Sequence, residues 1–341
     1  MALGWHLPLE IMLKGKSKSN QPLIWVLKDE RPGTGNQAVG VADAIKVKYQ
    51  IKKLELSAFG RLPNLLLGGS LRTITSNAKK CILPPWPDLV ISAGRRAASV
   101  ALHIKRKSEG RTFICQIMFP GDGLVAELDL VAVPKHDQIE GRNIWSITGA
   151  PNRITDVVLS EARSRWQQEF SQLPRPIVGL ILGGATKRMP LGTKQIEELA
   201  QLIADHNRTS GGSIIVTTSR RTGKAADTLF EKLRKLGCET VKFHRWNEGN
   251  ENPYLGILSY SDILVVTGDS ITMLSEACAA PGGVYIYTPT EFSSVKHLRF
   301  HAELYAMDAA RPLQNQLKHW KSVQFNSAND VAKEINLRLG W

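Results

Sequence analysis

The feature that most constrains the fold of this chain is a repeated alternation of short β-branched runs with stretches of helical periodicity. Each run ends in a glycine or polar loop, as in the unit from Leu23 to Leu27 and its loop from Asp29 to Gln37. Such alternation is typical of βα units around a buried parallel sheet. It restarts after a connector with two prolines at 173–179. We therefore expect an α/β protein with two doubly wound halves.

Two segments on either side of this connector echo each other. An aspartate, Asp88 or Asp262, precedes an apolar strand that ends in Gly94 or Gly268, and small or hydroxyl residues follow where a helix begins. In doubly wound sheets, ligands bind beyond the carboxyl ends of the strands. The echo therefore predicts similar halves whose binding residues come just after their strands.

Two helices of the second half each show one apolar face. Their apolar residues recur at positions i, i+3, i+4 and i+7, which indicates packing against a sheet. They are Ile196, Leu199, Ala200 and Ile203 in the first helix, and Ala226, Leu229, Phe230 and Leu233 in the second. A last helix is predicted from Asn329 to Leu339.

A length of 341 residues corresponds to about two domains at ~150 residues each. The connector is the best boundary because prolines interrupt regular structure. We expect a flexible N-terminus over residues 1–20, a first Rossmann-like domain over 21–155, a second over 170–310 and a helical tail over 311–341.

The positive charge of the chain is concentrated in its first third. The whole sequence has a formal net charge of +13, and residues 1–111 contain 19 basic and 7 acidic side chains. Such a local field attracts nucleic acid, acidic lipid headgroups or phosphorylated sugars, although a solvated surface is the alternative. Because aromatic and basic residues are not interleaved, we expect no nucleic-acid partner.

Several features favour a cytoplasmic protein. No apolar run approaches the roughly 18 residues that span a bilayer. The first 13 residues include Glu10 and have no basic stretch before their apolar part, which disfavours a cleaved signal peptide. The four cysteines lie far apart in apolar surroundings, which indicates a reducing compartment without a disulfide or zinc framework.

A glycine-rich segment follows the first predicted strand. Backbone N–H groups at a helix start can bind phosphate or carboxylate, so Gly33, Gly35, Asn36 and Gln37 are candidate binding residues. As a dinucleotide fingerprint the segment is weak, because Ala38 stands in place of the third glycine. A structural turn is the alternative.

Two segments of the second half could hold a diphosphate. SRRTGKA at 219–225 is not a P-loop, because it lacks the first glycine and the hydroxyl after lysine, yet Ser219, Arg220 and Arg221 are suitable donors. At 267–276, Ser270, Thr272 and Met273 fall at a helix start, and Glu276 lies about one and a half turns later, within reach of ribose hydroxyls. The alternatives are a solvated helix start and a glutamate that stabilises the helix dipole.

Three residues near predicted strand ends of the first half are candidate general bases, namely Asp122, His136 and Asp137. A turn explains Asp122 equally well, and a surface loop explains the other two. No cluster of His, Cys and carboxylates has metal-ligand spacing, so no metal is expected.

Several motifs, in this order along the chain, resemble those of the mitochondrial-fission-protein-like family of glycosyltransferases, which is similar to the GT-B glycosyltransferases. They are RPGTGNQAVGVADAI, PDLVISAGRRAASVAL, KHDQIEGRNIWSITGAPNRIT, LILGGATK, TTSRRTGKA and SDILVVTGDSITMLSEA, and the resemblance covers about residues 22–290. The resemblance implies the GT-B architecture, in which two Rossmann-like domains face each other across a cleft. Bacterial members are taken to glycosylate cell-envelope glycolipids, and plant members act in mitochondrial division.

The resemblance also implies roles for residues. Gly183 and Gly184 would approach the diphosphate of a nucleotide-sugar, beside the donors at 219–221, and Glu276 would bind its ribose. Ser270, Thr272 and Met273 would contact phosphate. The glycine-rich segment of the first domain would face the acceptor. A histidine occupies that segment in the similar peptidoglycan N-acetylglucosaminyltransferase, whereas Asn36-Gln37 stands here, so the base is unassigned.

We therefore expect a metal-independent glycosyltransferase that uses a nucleotide-sugar as substrate and needs no cofactor. Its acceptor would be a cell-envelope glycolipid or lipopolysaccharide, reached through anionic or phosphorylated lipid at the basic first third. The protein would then be cytoplasmic and peripheral on the inner face of a membrane. The alternatives are a nucleotide-sugar epimerase and a non-catalytic membrane-recruitment scaffold.

Overall fold

The computed structural model describes residues 21–61, 67–184, 191–238, 241–246, 251–289, 293–314 and 317–341. The predicted flexible segment, residues 1–20, lies outside these ranges. The described residues form two six-stranded sheets, and every strand pair in them is parallel. We call the sheets with their covering helices the first lobe and the second lobe. The α/β class and the two doubly wound halves predicted from the sequence are confirmed.

The first sheet has the order β2-β1-β3-β4-β5-β6. Its strands are β1 (Ile24–Asp29), β2 (Tyr49–Leu54), β3 (Leu89–Ala93), β4 (Phe113–Ile117), β5 (Leu130–Pro134) and β6 (Ile144–Ile147). The helices of this part are α1 (Pro32–Ile45), α2 (Ser76–Lys79), α3 (Arg95–Lys107) and α4 (Asp122–Val125). All residues of β3 and β5 are buried, as expected for strands covered by helices on both faces.

The second sheet has the order β12-β11-β10-β7-β8-β9. Its strands are β7 (Ile177–Leu182), β8 (Ser213–Thr218), β9 (Val241–His244), β10 (Ile263–Thr267), β11 (Gly283–Tyr287) and β12 (Arg311–Pro312). Counted from β7, this is the 3-2-1-4-5-6 order of Rossmann domains. The strand order therefore reverses between β7 and β10, the place where such sheets bind ligands.

The helices that follow the first sheet are α5 (Asp156–Arg165), α6 (Gln167–Phe170), α7 (Thr193–Ser210), α8 (Ala225–Lys235), α9 (Tyr254–Tyr260), α10 (Ile271–Ala277), α11 (Val295–Ala306) and α12 (Ser327–Leu339). The predicted apolar faces of α7 and α8 are confirmed. Seven of the eight predicted residues are buried, and Phe230 is partly buried. In the described part of the chain, no helix combines the length and apolar character needed to cross a bilayer.

The echo between the halves has a structural cause. The Asp88 carboxylate accepts a hydrogen bond from the Leu23 amide at 2.9 Å, just before β1. The Asp262 carboxylate accepts one from the Ile177 amide at 2.7 Å, at the start of β7. Each aspartate thus fixes the start of the strand beside its own, at equivalent places in the two sheets.

The glycine-rich segment of the first lobe differs from its prediction as a loop. Helix α1 begins at Pro32, where a proline fits well because it fixes φ and lacks the N–H that a first-turn residue leaves unpaired. Gly33, Gly35, Asn36 and Gln37 are therefore helical residues. A Cβ on Gly35 would lie 2.8 Å from Lys28 Cγ, so this glycine lets α1 pack closely on β1.

The last helix covers the first lobe. Ala328, Val331, Ala332 and Ile335 of α12 are buried in one cluster with strand residues of the first sheet, such as Ile24 and Val26. Strand β12 still pairs with β11 of the second sheet. The chain therefore returns to the first lobe between β12 and α12. The lobes are thus joined by two connections, one that precedes the second sheet in the sequence and one that follows it.

The two connections are fastened to each other by a pair of asparagines. Asn326 Nδ2 donates to the Asn152 carbonyl at 3.0 Å and to Asn152 Oδ1 at 2.9 Å. Asn152 Nδ2 in turn donates to the Ser275 carbonyl of α10 at 3.1 Å. The junction between the lobes is therefore specified by amide hydrogen bonds.

Candidate functional site

Three segments meet where the strand order of the second sheet reverses, and Asp269 joins them. Its Oδ2 accepts hydrogen bonds from the Gly184 amide at 2.9 Å and from Arg221 Nη2 at 3.0 Å. Its Oδ1 accepts one from Thr267 Oγ1 at 2.7 Å. The Asp269 carboxylate is thus a buried hub that ties together the loops after β7, β8 and β10.

The two glycines after β7 are required by this packing. A Cβ on Gly183 would lie 2.2 Å from Asp269 Oδ1, and one on Gly184 would lie 2.2 Å from the main-chain carbon of Arg221. Their amides already donate within the protein, Gly183 to Thr267 Oγ1 and Gly184 to Asp269. These glycines therefore let the loops approach each other, and their predicted contact with a diphosphate stays a prediction.

The loop after β8 turns its hydroxyls inward and one arginine outward. Ser219 Oγ donates to the Gly183 carbonyl at 2.7 Å, and Thr222 Oγ1 accepts from the Ser219 amide at 2.8 Å. Arg220 is exposed, and no hydrogen bond or ion pair joins it to a described residue. Of the two predicted arginines, Arg221 is held by Asp269 and Arg220 remains available for an anion.

The start of α10 carries the predicted phosphate contacts. Ser270 is its N-cap residue, and Ser270 Oγ accepts from the Met273 amide at 3.4 Å, the usual bond of a capping serine. Thr272 and Met273 lie in the first turn and are partly buried. The helix begins where predicted, at Ile271, two residues after Asp269.

Glu276, at the other end of α10, has a specific partner. Tyr254 Oη donates to Glu276 Oε2 at 2.7 Å. Burial raises the pKa of Glu276 to about 7, although the Tyr254 hydrogen bond lowers it. The carboxyl is therefore poised between its charged and neutral forms near neutral pH.

Two histidines of α11 lie beside the hub. The His301 ring pairs with the Gly268 carbonyl, with 2.9 Å from Nε2 to oxygen, and burial lowers the pKa of His301 to about 4. Burial also lowers the pKa of His297, which the Asp269 charge partly offsets. Neutral imidazoles therefore border Asp269 on this side.

In the first lobe, a cavity of about 340 Å³ opens beyond the ends of β1 and β2. Of the predicted acceptor residues, Asn36 lines it, whereas Gln37 Nε2 donates to the Gly33 carbonyl of its own helix at 3.0 Å. The other lining residues are Lys28, Asp29, Glu30, Lys53, Leu54 and Glu55. A larger cavity of about 680 Å³, between α1, α5 and the 324–329 segment, contains none of the predicted site residues.

The predicted bases lie in unfavourable places for that role. His136 is 3% exposed and packs on Phe300 of the second lobe, with 5.1 Å between ring centroids. Asp137 forms an ion pair with Lys296 of the second lobe. Asp122 is exposed at the first residue of the short helix α4. The 134–150 segment thus supplies packing and ion pairs between the lobes, which the sequence could not show because both partners come from α11.

Replacing His136 by phenylalanine is expected to make the protein more resistant to acid. Both ring nitrogens of His136 lack a hydrogen-bond partner among the described residues, and burial lowers its pKa to about 4. Between pH 6.5 and 4 the unfolded chain therefore binds more protons at this residue, so the free energy of unfolding falls as pH falls, by about 2 kcal/mol at pH 5. Urea denaturation at pH 7.5 and pH 5 measures this loss.

The matched control is His319→Phe, at an exposed histidine. We expect His136→Phe to lose less stability than wild type on acidification, and His319→Phe to lose as much. An identical loss in all three proteins contradicts the assignment to His136.

Two residues of the site were missed at the sequence level. Asp269 lies within the 267–276 segment, but no sequence pattern assigned it a role. The repeat of the Asp88-to-Gly94 pattern at Asp262-to-Gly268 indicates that Asp269 directly follows a strand, but it does not identify the residues that Asp269 contacts. Tyr254 carries no local signal, because its contact with Glu276 joins two separate helices.

The sequence profile of the family described as "Mitochondrial fission ELM1" matches residues 32–339. "Uncharacterized protein RP120" of Rickettsia prowazekii (strain Madrid E) is 27% identical, over 93% of this chain and 98% of that protein. "Mitochondrial fission protein ELM1" of Arabidopsis thaliana is 25% identical, over 81% of this chain and 70% of that protein.

Solved structures share the fold. The UDP-GlcNAc 2-epimerase from Methanocaldococcus jannaschii has a TM-score of 0.57 at 13% identity, over 94% of this chain and 100% of that chain. Its complex with UDP-GlcNAc and UDP has a TM-score of 0.53 at 15% identity, over the same shares of 94% and 100%. Together with the two six-stranded sheets, this confirms the predicted GT-B architecture of two Rossmann-like domains facing across a cleft.

Proposed function

This chain belongs to the mitochondrial fission ELM1 family, and we propose that it is a glycosyltransferase that moves a sugar from a nucleotide-sugar to a cell-envelope acceptor without a metal ion. The observation that carries the proposal is the convergence of the predicted donor-binding segments at the reversal point of the second sheet. Asp269 holds two of these segments at 2.9 and 3.0 Å. Rossmann-type sheets bind nucleotides at this point.

The donor would lie across this reversal point. Its diphosphate would meet Arg220, which faces solvent without a described partner, and the start of α10 near Ser270, Thr272 and Met273. Its ribose would reach Glu276, and the glycines at 183–184 would keep the loops close. A nucleoside diphosphate bound to the structurally similar epimerase is UDP, which makes UDP-sugars the first donors to test.

In the proposed reaction, an acceptor hydroxyl oxygen bonds to the anomeric carbon as the bond from that carbon to the diphosphate oxygen breaks. The hydroxyl proton goes to a base, and the nucleoside diphosphate leaves with the electron pair. Positive charge beside the leaving diphosphate stabilises the negative charge that develops there in the transition state. Such electrostatic stabilisation is usually the largest single contribution to catalysis. Arg220 supplies that charge, and the ion pair of the next residue, Arg221, with Asp269 keeps the loop in place.

The acceptor would enter from the first lobe. The 340 Å³ cavity there combines Asn36 with three carboxylates, and burial raises the pKa of one of them, Asp29, as is common for general bases. The excess of basic residues over 1–111 suits a phosphorylated glycolipid or lipopolysaccharide acceptor at an anionic membrane surface. We propose a peripheral association with that surface.

Titration calorimetry with UDP-GlcNAc and other nucleotide sugars tests this function. Arg220→Ala is expected to weaken donor binding about 10- to 100-fold, because a charge-assisted hydrogen bond contributes about 1.5–3 kcal/mol. Glu276→Ala should weaken it as well. Arg234→Ala, at an exposed arginine of α8, is the control and should bind as wild type does. Failure of the wild type to bind any nucleotide-sugar would overturn the proposal.

Product analysis separates the alternatives. With the donor alone, slow release of free sugar and nucleoside diphosphate supports a transferase, whereas an isomerised sugar supports an epimerase. For the scaffold alternative, the doubly substituted Arg220→Ala, Glu276→Ala protein is compared with wild type in cells. An intact cellular function in that variant would mean that the cleft is not the working part.

A further inference from the structure

The contact between Tyr254 and Glu276 joins two helices of the second lobe. Tyr254 is the first residue of α9, and its amide is held by Asn252 Oδ1 at 3.0 Å. Glu276 lies in the last turn of α10. The 2.7 Å bond from Tyr254 Oη to Glu276 Oε2 therefore fixes the carboxyl from outside its own helix.

This arrangement satisfies only half of the carboxyl group. Tyr254 is bonded to Oε2, and no described residue donates a hydrogen bond to Oε1. A carboxylate withdrawn from water needs hydrogen-bond donors in place of the water it lost. Glu276 thus has one oxygen fixed by Tyr254 and one oxygen to which no described residue donates a hydrogen bond.

We propose that Tyr254 is a positioning residue for ribose recognition, which holds Glu276 so that its free oxygen accepts hydrogen bonds from the hydroxyls of a bound nucleotide. The proposal rests on the proposed function and deepens it. The phenol holds the carboxyl plane, and it stabilises the charged form, which is the form that accepts from two hydroxyls.

The pair makes donor binding depend on pH. Among the described residues, Tyr254 is the titratable group that acts on Glu276, whose pKa is about 7. Below this pH the carboxyl gains a proton and loses acceptor capacity, so affinity falls by up to tenfold per pH unit. Removal of the Tyr254 hydroxyl takes away the hydrogen bond that lowers the pKa of Glu276. The pH midpoint of the fall in donor affinity therefore moves to a higher value.

Tyr254→Phe tests the proposal, because it keeps the ring and removes only the hydroxyl. The probe is UDP-GlcNAc, whose diphosphate is esterified at both ends and so does not titrate in this range. Calorimetry at pH 6, 7, 8 and 9 gives the midpoint for each protein. We expect Tyr254→Phe to bind several-fold more weakly at pH 8, with a higher midpoint than wild type, and Glu276→Gln to bind weakly at every pH.

Tyr260→Phe is the matched control. Tyr260 lies on the same helix, and its hydroxyl donates to the Arg163 carbonyl at 2.9 Å, so it should keep the wild-type midpoint. Thermal melting of all variants verifies that they are folded. If wild type and Tyr254→Phe both bind UDP-GlcNAc with the same pH midpoint, the role of Tyr254 is overturned and the proposed function is not. Absence of binding by wild type at every pH overturns the proposed function, and the ribose role with it.

Discussion

Asp269→Ala is expected to lower the free energy of unfolding by about 2–6 kcal/mol, because it leaves two buried hydrogen-bond donors without their acceptor, at about 1–3 kcal/mol each. The Asp269 side chain is nearly inaccessible, and it accepts from the Gly184 amide, Thr267 Oγ1 and Arg221. Without the carboxylate, the Gly184 amide and the Thr267 hydroxyl stay buried with a lost partner. Urea denaturation measures the change, and calorimetry with UDP-GlcNAc should show that binding is lost at the same time.

The control for this variant is Asp205→Ala. Asp205 pairs with Arg208 at 3.0 Å on the exposed surface of α7, where such a pair contributes less than about 1 kcal/mol. An Asp269→Ala protein as stable as this control would show that the loops are held together by other contacts.

Asn326→Ala is expected to cost about 2–4 kcal/mol, since it removes a helix cap and unpairs groups of the buried Asn152. Asn326 Oδ1 accepts from the amides of Ala328 and Asn152 at 3.0 and 3.3 Å. Its Nδ2 donates to Asn152 and to the Ile154 carbonyl. Denaturation curves measured by fluorescence and by circular dichroism should both shift to lower urea concentration.

Asn329→Ala provides the comparison within the same helix. Asn329 is exposed, and its substitution should change stability by no more than about 0.5 kcal/mol. Equal effects of the two substitutions would mean that the asparagine pair does not hold the connections together.

The sequence predicted what depends on local periodicity and on repetition. The faces of α7 and α8 follow from spacing alone, as the burial of Ile196 and Leu229 confirms. The echo of Asp88 and Asp262 likewise reflects one structural unit used twice. The start of α1 was missed because the glycines at 33 and 35 were given more weight than Pro32, although a proline at the first helical position is favourable.

Features that depend on strand order could not be predicted from local patterns. Asp269 reaches Gly184 because β10 lies beside β7, and these strands are far apart along the chain. His136 and Asp137 have the composition of a catalytic pair, yet the approach of Phe300 and Lys296 determines their surroundings. The burial of Glu276 beside Tyr254 is a tertiary effect of the same kind.

The return of α12 to the first sheet has a consequence for how the protein is made. A ribosome releases residues 24–147, which contain all strands of the first sheet, long before it releases residues 327–339. The apolar surface that Val331 and Ile335 cover is therefore open to solvent or to chaperones while the whole second sheet is synthesised. Because domains fold as units during translation, the lobe that is encoded first is the one that is completed last.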